Sequence, residues 1–113
     1  MPHYLLMFLG TDEQLEEMPK DKLDTAYAEI GRWWEELTKK GVLKGGEQLA
    51  PRKTATTVRR VNGKMTVSDG PFIESKEHVG GYAMIEVPDL DAAIALAKSW
   101  PAGDVEVRPV VEH

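Results

Sequence analysis

Residues 54–68, Thr-Ala-Thr-Thr-Val-Arg-Arg-Val-Asn-Gly-Lys-Met-Thr-Val-Ser, predict a tight β-hairpin. The central Asn62-Gly63 dipeptide is typical of a two-residue type I′ turn, because both turn residues there adopt positive φ. Asp69 follows on the face that carries Val58 and Val67, so we expect its carboxylate to point toward a covered region. Counted outward from the turn, the predicted pairs are Val61 with Lys64, Arg60 with Met65, Arg59 with Thr66, and Val58 with Val67.

Further strands are predicted on both sides of this hairpin. Residues 3–8 and residues 82–87 are short segments that are largely apolar on both faces. A last strand is predicted over residues 105–111, in which valines alternate with Glu106 and Arg108. Apolar side chains on both faces of a strand indicate that both faces are covered.

Helices are predicted between these strands. Thr11 and Gln14 fit a capping box for a short acidic helix over residues 12–18, and Asp89 fits the N-cap of a later helix that ends before Pro101. Trp33 lies beside the stripe of the main helix, either packed on its flank or in contact with a second subunit. The main helix, which ends at Gly41, carries the apolar stripe Leu23, Tyr27, Ile30, Trp34 and Leu37, and the later helix carries Leu90, Ala93, Ile94 and Ala97.

The order of these elements predicts the fold class. Strand, helix, hairpin, strand, helix and strand fit an α+β protein, a ferredoxin-like sandwich with both helices on one face of the sheet. We expect a single domain over residues 1–113. Because the other face of the sheet is also apolar, a second sheet should cover it, most simply from an identical subunit. The expected assembly is a homodimer with a shared, dimeric α/β barrel.

Composition excludes several classes of protein. The chain has 113 residues, and its 14 Lys and Arg against 19 Asp and Glu give a net charge of −5. Cysteine is absent and the three histidines show no metal-ligand spacing, so we expect no disulfide, no metal and no cofactor. The apolar run at residues 4–9 is far shorter than the roughly 20 residues of a membrane span. We expect a cytoplasmic protein that contacts neither membranes nor nucleic acid directly.

Positive charge is concentrated around the predicted hairpin. The stretch between Glu47 and Asp69 contains no acidic residue, and such a local patch attracts anions. Alternatively, these side chains only solvate the hairpin and discourage pairing of its edges. The five basic residues are Arg52, Lys53, Arg59, Arg60 and Lys64.

One longer segment carries a resemblance to a known family. Residues 69–77 read Asp-Gly-Pro-Phe-Ile-Glu-Ser-Lys-Glu, Gly80-Gly81-Tyr82 follow, and residues 105–110 read Val-Glu-Val-Arg-Pro-Val. Together with residues 55–59 and Tyr4-Leu5-Leu6, this pattern resembles the YCII-related family in its DGPF branch. The resemblance extends over nearly the whole chain.

The resemblance implies a ferredoxin-like fold assembled as a dimeric α/β barrel, encoded alone or fused to sigma-factor regions. For the wider family it implies two candidate roles, an enzymatic role attributed to a His and Asp pair and a role linked to transcription. In our alignment this sequence has Ile30 where the other branch has a histidine on the first helix. That His-Asp pair therefore does not carry over to this chain.

The motif predicts a site around Asp69. Gly70-Pro71 would hold the carboxylate at a fixed angle, and Phe72 beside it would partly desolvate it, which suits acid/base work. His78 is a second catalytic candidate, as a proton shuttle near neutral pH. The expected ligand contacts are Phe72, Glu74, Lys76, Glu77, Arg108 and Arg59.

A structural interpretation of the same residues stays open. Asp69 would then accept backbone N–H bonds in a turn, Phe72 would fill the core, and Arg108 would pair with Glu106 or Glu77. Two functions follow from these alternatives. The first is a homodimeric enzyme that binds a small anionic metabolite and acts by acid/base chemistry. The second is a non-catalytic dimerisation or sensor module that affects transcription through a sigma-factor-like partner.

Overall fold

The computed structural model describes residues 1–72 and 77–113. The strands are β1 His3–Gly10, β2 Leu43–Gln48, β3 Thr56–Val61, β4 Lys64–Asp69, β5 His78–Glu86 and β6 Asp104–Pro109. The helices are α1 Asp12–Glu16, α2 Lys20–Lys39 and α3 Leu90–Lys98, and a single 3-10 turn spans Arg52–Thr54. No helix of the described ranges is long and apolar enough to cross a membrane.

A four-stranded antiparallel sheet forms the centre of the fold. Its strand order is β2-β5-β1-β6, and β1 pairs with both β5 and β6. Helix α2 leads from β1 to β2, and α3 leads from β5 to β6. The predicted α+β class is thus confirmed, and the strand order is compatible with a ferredoxin-like sandwich.

The hairpin stands apart from this sheet. β3 and β4 pair in the predicted register, and Asn62 and Gly63 have φ values of 50° and 79°, as the type I′ turn requires. The two strands form a separate two-stranded sheet. The prediction that the hairpin supplies strands to the sandwich is wrong, because β2 occupies the place beside β5.

Strand β2 escaped prediction because its sequence, Leu-Lys-Gly-Gly-Glu-Gln, lacks the apolar alternation of a strand. The packing nevertheless requires one of its glycines. Gly46 has a φ of 147°, and a Cβ atom there would overlap the carbonyl oxygen of Tyr82 and lie 2.7 Å from the indole of Trp34. The register against β5 shifts between Leu43 and Gly45, as at a β-bulge.

The core lies between one face of the four-stranded sheet and the helices. Leu6 and Ile85, on adjacent strands, are completely buried. Both helices cover the same face, as predicted, because side chains from α2 and α3 belong to one cluster with the sheet. The buried cluster comprises Tyr4, Leu6, Phe8, Trp33, Leu37, Ala83, Ile85, Val87 and Ala93.

Helix α2 buries part of the predicted stripe, together with Trp33 from its flank. Trp33 is buried, its Nε1 donates to Ser99 Oγ at 2.8 Å, and its ring lies edge-on to Phe8. Tyr27, predicted to be buried, is exposed. Leu37 of the predicted stripe is buried and Trp34 packs against the core. Trp33 packs on Phe8 and Trp100 within the chain, as the flank-packing alternative predicts, so the subunit contact for Trp33 is wrong.

Helix α3 is turned from its predicted orientation. Asp89 caps it as expected, with its Oδ1 accepting from the Ala92 N–H at 2.9 Å. Ala93 is buried, but Leu90 and Ile94 are exposed. Leu96 packs against the core in their place, together with Ala92 and Ala97.

The opposite face of the sheet carries apolar side chains outside the core. Leu5 lies opposite Met84, and Met7 lies opposite Tyr82. All four are half-buried, and none belongs to the core cluster or to the described side chains packed against it. Both faces of β1 and β5 are thus apolar, as the sequence predicts.

The chain exposes more surface than its mass predicts. Its accessible area is 8146 Å², whereas a compact monomer of 12.6 kDa exposes about 6,200 Å². The radius of gyration is 16.2 Å, against about 13 Å for a compact domain of this length. The excess is about 1,900 Å² of accessible surface. The separate hairpin and the apolar outer face of the sheet both contribute exposed area.

Candidate functional site

A cluster of one acidic and two basic side chains lies where β1 ends and β5 begins. His78 Nε2 is 3.0 Å from Asp12 Oδ1, and Arg52 Nε is 3.6 Å from Asp12 Oδ2. The side chains of Asp12, His78 and Arg52 are 16%, 20% and 27% exposed. The carboxylate thus lies between an imidazole and a guanidinium, largely shielded but within reach of solvent. We call these three residues the acid–base cluster.

Strand pairing and a helix cap position this cluster. β1 and β5 are antiparallel, and Gly10 lies opposite His78. Asp12 is the first residue of α1, and the predicted capping box is confirmed, with Thr11 Oγ1 accepting from the Gln14 N–H at 3.2 Å and Gln14 Oε1 accepting from the Thr11 N–H at 3.0 Å. A bulge shifts the register after Phe8, and bulges often redirect side chains beside functional sites.

Ion pairs join α1 to the base of the hairpin. Besides its contact with Asp12, Arg52 has Nη2 4.0 Å from Glu13 Oε1, and Lys53 Nζ lies 3.9 Å from Glu16 Oε1. Two of the five residues of the predicted basic patch therefore face acidic partners. Each partly exposed pair contributes little alone, but together they hold α1 against the 3-10 turn.

Asp69 lies at the far end of β4 from the turn, opposite Thr56. It is exposed, so the expectation of a covered carboxylate is wrong for the single chain, where this face of the hairpin is open. Gly70 follows with a φ of 100°. Its N–H donates to the Ala55 carbonyl at 2.8 Å, and its carbonyl accepts from Thr57 Oγ1 at 2.6 Å. The motif thus begins with a turn held on the hairpin.

Arg59 holds Phe72, the fourth residue of the Asp-Gly-Pro-Phe motif. Its guanidinium carbon lies 4.2 Å from the centre of the Phe72 ring, and its Nη2 donates to the Phe72 carbonyl at 3.1 Å. Phe72 is 62% exposed, so the interpretation of Phe72 as a core residue is wrong. Arg59 and Phe72 form one unit on the hairpin, available at the surface.

The remaining predicted residues are dispersed. Arg108 forms an ion pair with Glu106 on β6, as the structural interpretation predicts. Glu77 is exposed, immediately before β5. Glu74 and Lys76 lie outside the described residues. Their roles as ligand contacts stay predictions.

The structure brings together residues that sequence reasoning separated. His78 was a catalytic candidate, whereas Asp12 was counted only in a capped helix and Arg52 only in a basic patch. Their proximity arises from the pairing of β1 with β5, which no local spacing reveals. The capping box was the one available signal, since it places Asp12 directly after the first strand.

A second histidine–carboxylate pair lies at the other end of the same strands. His3 Nε2 is 3.1 Å from Glu86 Oε2, and the two residues are directly opposite each other in the register. No arginine or lysine is paired with Glu86 among the described residues, in contrast to Asp12. Within residues 1–72 and 77–113, no three acidic or histidine side chains are grouped so as to hold a metal ion.

An open groove of about 560 Å³ lies between α2 and α3. Its floor is apolar, with Trp33, Leu37 and Leu96, and charged side chains such as Arg32 and Lys40 line its rim. No described member of the predicted site lines this groove. The acid–base cluster is therefore a separate feature.

The described residues thus form a small α+β protein with antiparallel sheets. The profile of the YCII-related domain family matches residues 4–113, so the chain belongs to that family. It is also 37% identical over 68 residues to an uncharacterised protein of Rhizobium meliloti (strain 1021). The aligned part covers 56% of this chain and 55% of that protein, so the match spans about half the length of the relative.

Proposed function

We propose that this chain is a DGPF-branch protein that forms a homodimer, binds a small anionic metabolite and acts on it by acid/base chemistry at the acid–base cluster. The observation that carries the proposal is the contact of Asp12 with His78 on one side and with Arg52 on the other, at 3.0 and 3.6 Å. The three groups supply a proton carrier, its orienting carboxylate and a positive charge within one half-buried site.

The chemistry of each group supports this role. Histidine is the side chain that exchanges a proton near neutral pH. A carboxylate beside the imidazole orients the ring, so His78 is positioned for proton transfer to and from a bound substrate. The role of Asp12 is to position His78.

Arg52 supports the assignment of an anionic ligand. Its contacts with Asp12 and Glu13, at 3.6 and 4.0 Å, are longer than the roughly 2.7–2.9 Å of a tight charge-assisted hydrogen bond. Guanidinium groups bind carboxylates and phosphates in bidentate geometry. A ligand carboxylate or phosphate would therefore compete well for Arg52. The motif segment 69–77 leads directly into His78, which favours its residues as further ligand contacts.

Exposed area supports the homodimer. A standard interface buries about 800 Å² per partner, and the excess surface of the chain is about twice that. The apolar outer face of the sheet, with Leu5, Met7, Tyr82 and Met84, is suited to face-to-face packing against a second copy. Two such sheets would form the dimeric α/β barrel.

A thermal-shift screen of anionic metabolites tests the site. We would compare the wild type with His78→Gln and with His3→Gln, a matched control because each histidine contacts one carboxylate on the same pair of strands. The expected result is a metabolite that stabilises the wild type and His3→Gln by up to about 2.7 kcal/mol at a hundredfold excess over Kd, and His78→Gln much less.

Equal stabilisation of both variants would reject the acid–base cluster as the site. A metabolite that passes this test is then assayed for conversion. Its conversion by the wild type but not by His78→Gln is the expected outcome. Binding without conversion would reject the enzymatic role and favour the sensor module with a sigma-factor-like partner.

A further inference from the structure

The two faces of the hairpin differ in how they are covered. On one face, Thr57 is buried against Gly70, and Arg59 packs on Phe72. The other face is bare in the single chain. Its side chains Val58, Met65 and Val67 are 52%, 59% and 69% exposed, although the strand register places all three on one side.

An apolar hairpin face of this kind requires a partner. A two-stranded hairpin is at best marginally stable alone in water, and it gains stability from a further layer. β3 and β4 pair only with each other among the described strands, so the four-stranded sheet does not supply that layer. The motif turn covers the opposite face of the hairpin. No described part of this chain supplies the missing layer, which favours a partner outside the chain.

Charge indicates which partner supplies it. The hairpin strands and turn, residues 56–69, carry Arg59, Arg60 and Lys64 against Asp69, which is a net charge of +2. The rest of the chain then carries 11 Lys and Arg against 18 Asp and Glu, which is a net charge of −7. A basic hairpin on an acidic body is complementary in charge to the body of a second, identical chain.

We propose that the hairpin is an arm whose face of Val58, Met65 and Val67 packs on the acidic body of a second copy of this chain, while the arm of that copy packs on the first. Such reciprocal contacts are what a two-fold symmetric dimer requires. The inference rests on the proposed homodimer and adds a contact to it. The arm contact extends the interface beyond the packing of the two sheets.

Two neighbouring substitutions on β4 test the arm. Val67→Glu places a charge on the bare face, and Ser68→Glu places the same charge on the other face, at a position that is also exposed. Sedimentation velocity over a dilution series gives the dissociation constant of the dimer. We expect Val67→Glu to raise it about 100-fold, tenfold per arm or about 1.4 kcal/mol each, and Ser68→Glu to raise it less than tenfold.

A third variant separates the arm from the sheet interface. Met7→Glu introduces a charge on the outer face of the sheet and is expected to dissociate the dimer. If Met7→Glu dissociates the dimer but Val67→Glu behaves like Ser68→Glu, the arm contact is rejected and the homodimer stands. A wild type that stays monomeric at high concentration would reject both.

Circular dichroism identifies any variant that fails to fold. Should Val67→Glu be one, Val67→Thr takes its place, because threonine keeps the branched shape of valine and adds a polar hydroxyl. We then expect a dissociation constant raised about tenfold, and an unchanged value would reject the arm. Higher salt should also weaken the wild-type dimer, because the proposed contact joins opposite charges.

Discussion

The four-stranded sheet and the hairpin are both antiparallel, yet they differ in what covers them. The sheet has α2 and α3 on one face, where Leu6 and Ile85 are completely buried. The hairpin has a well-defined turn and register, but Val58 and Val67 are more than half exposed. The turn thus sets the register of two strands, whereas burial of their side chains needs a further layer. The predictions below test this difference in single chains, at concentrations low enough to avoid association.

The largest expected effect is in the sheet. Leu6→Ala removes a fully buried side chain and leaves a cavity, so we expect it to lower the free energy of unfolding by about 2–5 kcal/mol. Val67→Ala, on the bare face of the hairpin, should change it by less than about 0.5 kcal/mol. Urea denaturation measures both. Similar losses from the two variants would show that the hairpin is already packed within one chain.

A smaller effect is expected where the sheet meets α2. Gly46→Ala introduces a methyl group that overlaps the Tyr82 carbonyl and approaches Trp34, so we expect a loss of about 1–3 kcal/mol. The neighbouring Gly45→Ala is the control, because a Cβ atom there has open space. The same denaturation experiment applies. A neutral Gly46→Ala would indicate that Trp34 packs elsewhere.

The smallest effect on the whole protein is expected at the hairpin turn. Gly63 has a φ of 79°, and a side chain there costs about 1–2 kcal/mol. Because the hairpin stands apart from the core, Gly63→Ala should accelerate amide hydrogen exchange in residues 56–69 and leave the protection of β1 and β5 unchanged. Lys64→Ala serves as the control. Faster exchange throughout the sheet would mean that the hairpin and the core unfold together.

The sequence predicted what local chemistry controls. Asn62-Gly63 predicted the turn and register of the hairpin. Thr11 and Gln14 predicted the cap of α1, and Asp89 predicted the cap of α3. In each case the interacting residues are only a few positions apart in the chain. The sequence failed for β2, where Gly46 allows the close approach of Trp34, and for Tyr27 of α2, which is exposed rather than buried. Those features depend on side chains from distant strands.

The candidate site was likewise predicted only in part. His78 was identified as a proton carrier from its residue type and its place beside the motif, whereas Asp12 and Arg52 were missed as its neighbours. By itself the sequence determined the α+β class, the hairpin and the family resemblance, because these follow from periodicity, turn chemistry and motif. Only the tertiary structure decided which carboxylate meets His78, because that contact depends on the pairing of β1 with β5 across most of the chain.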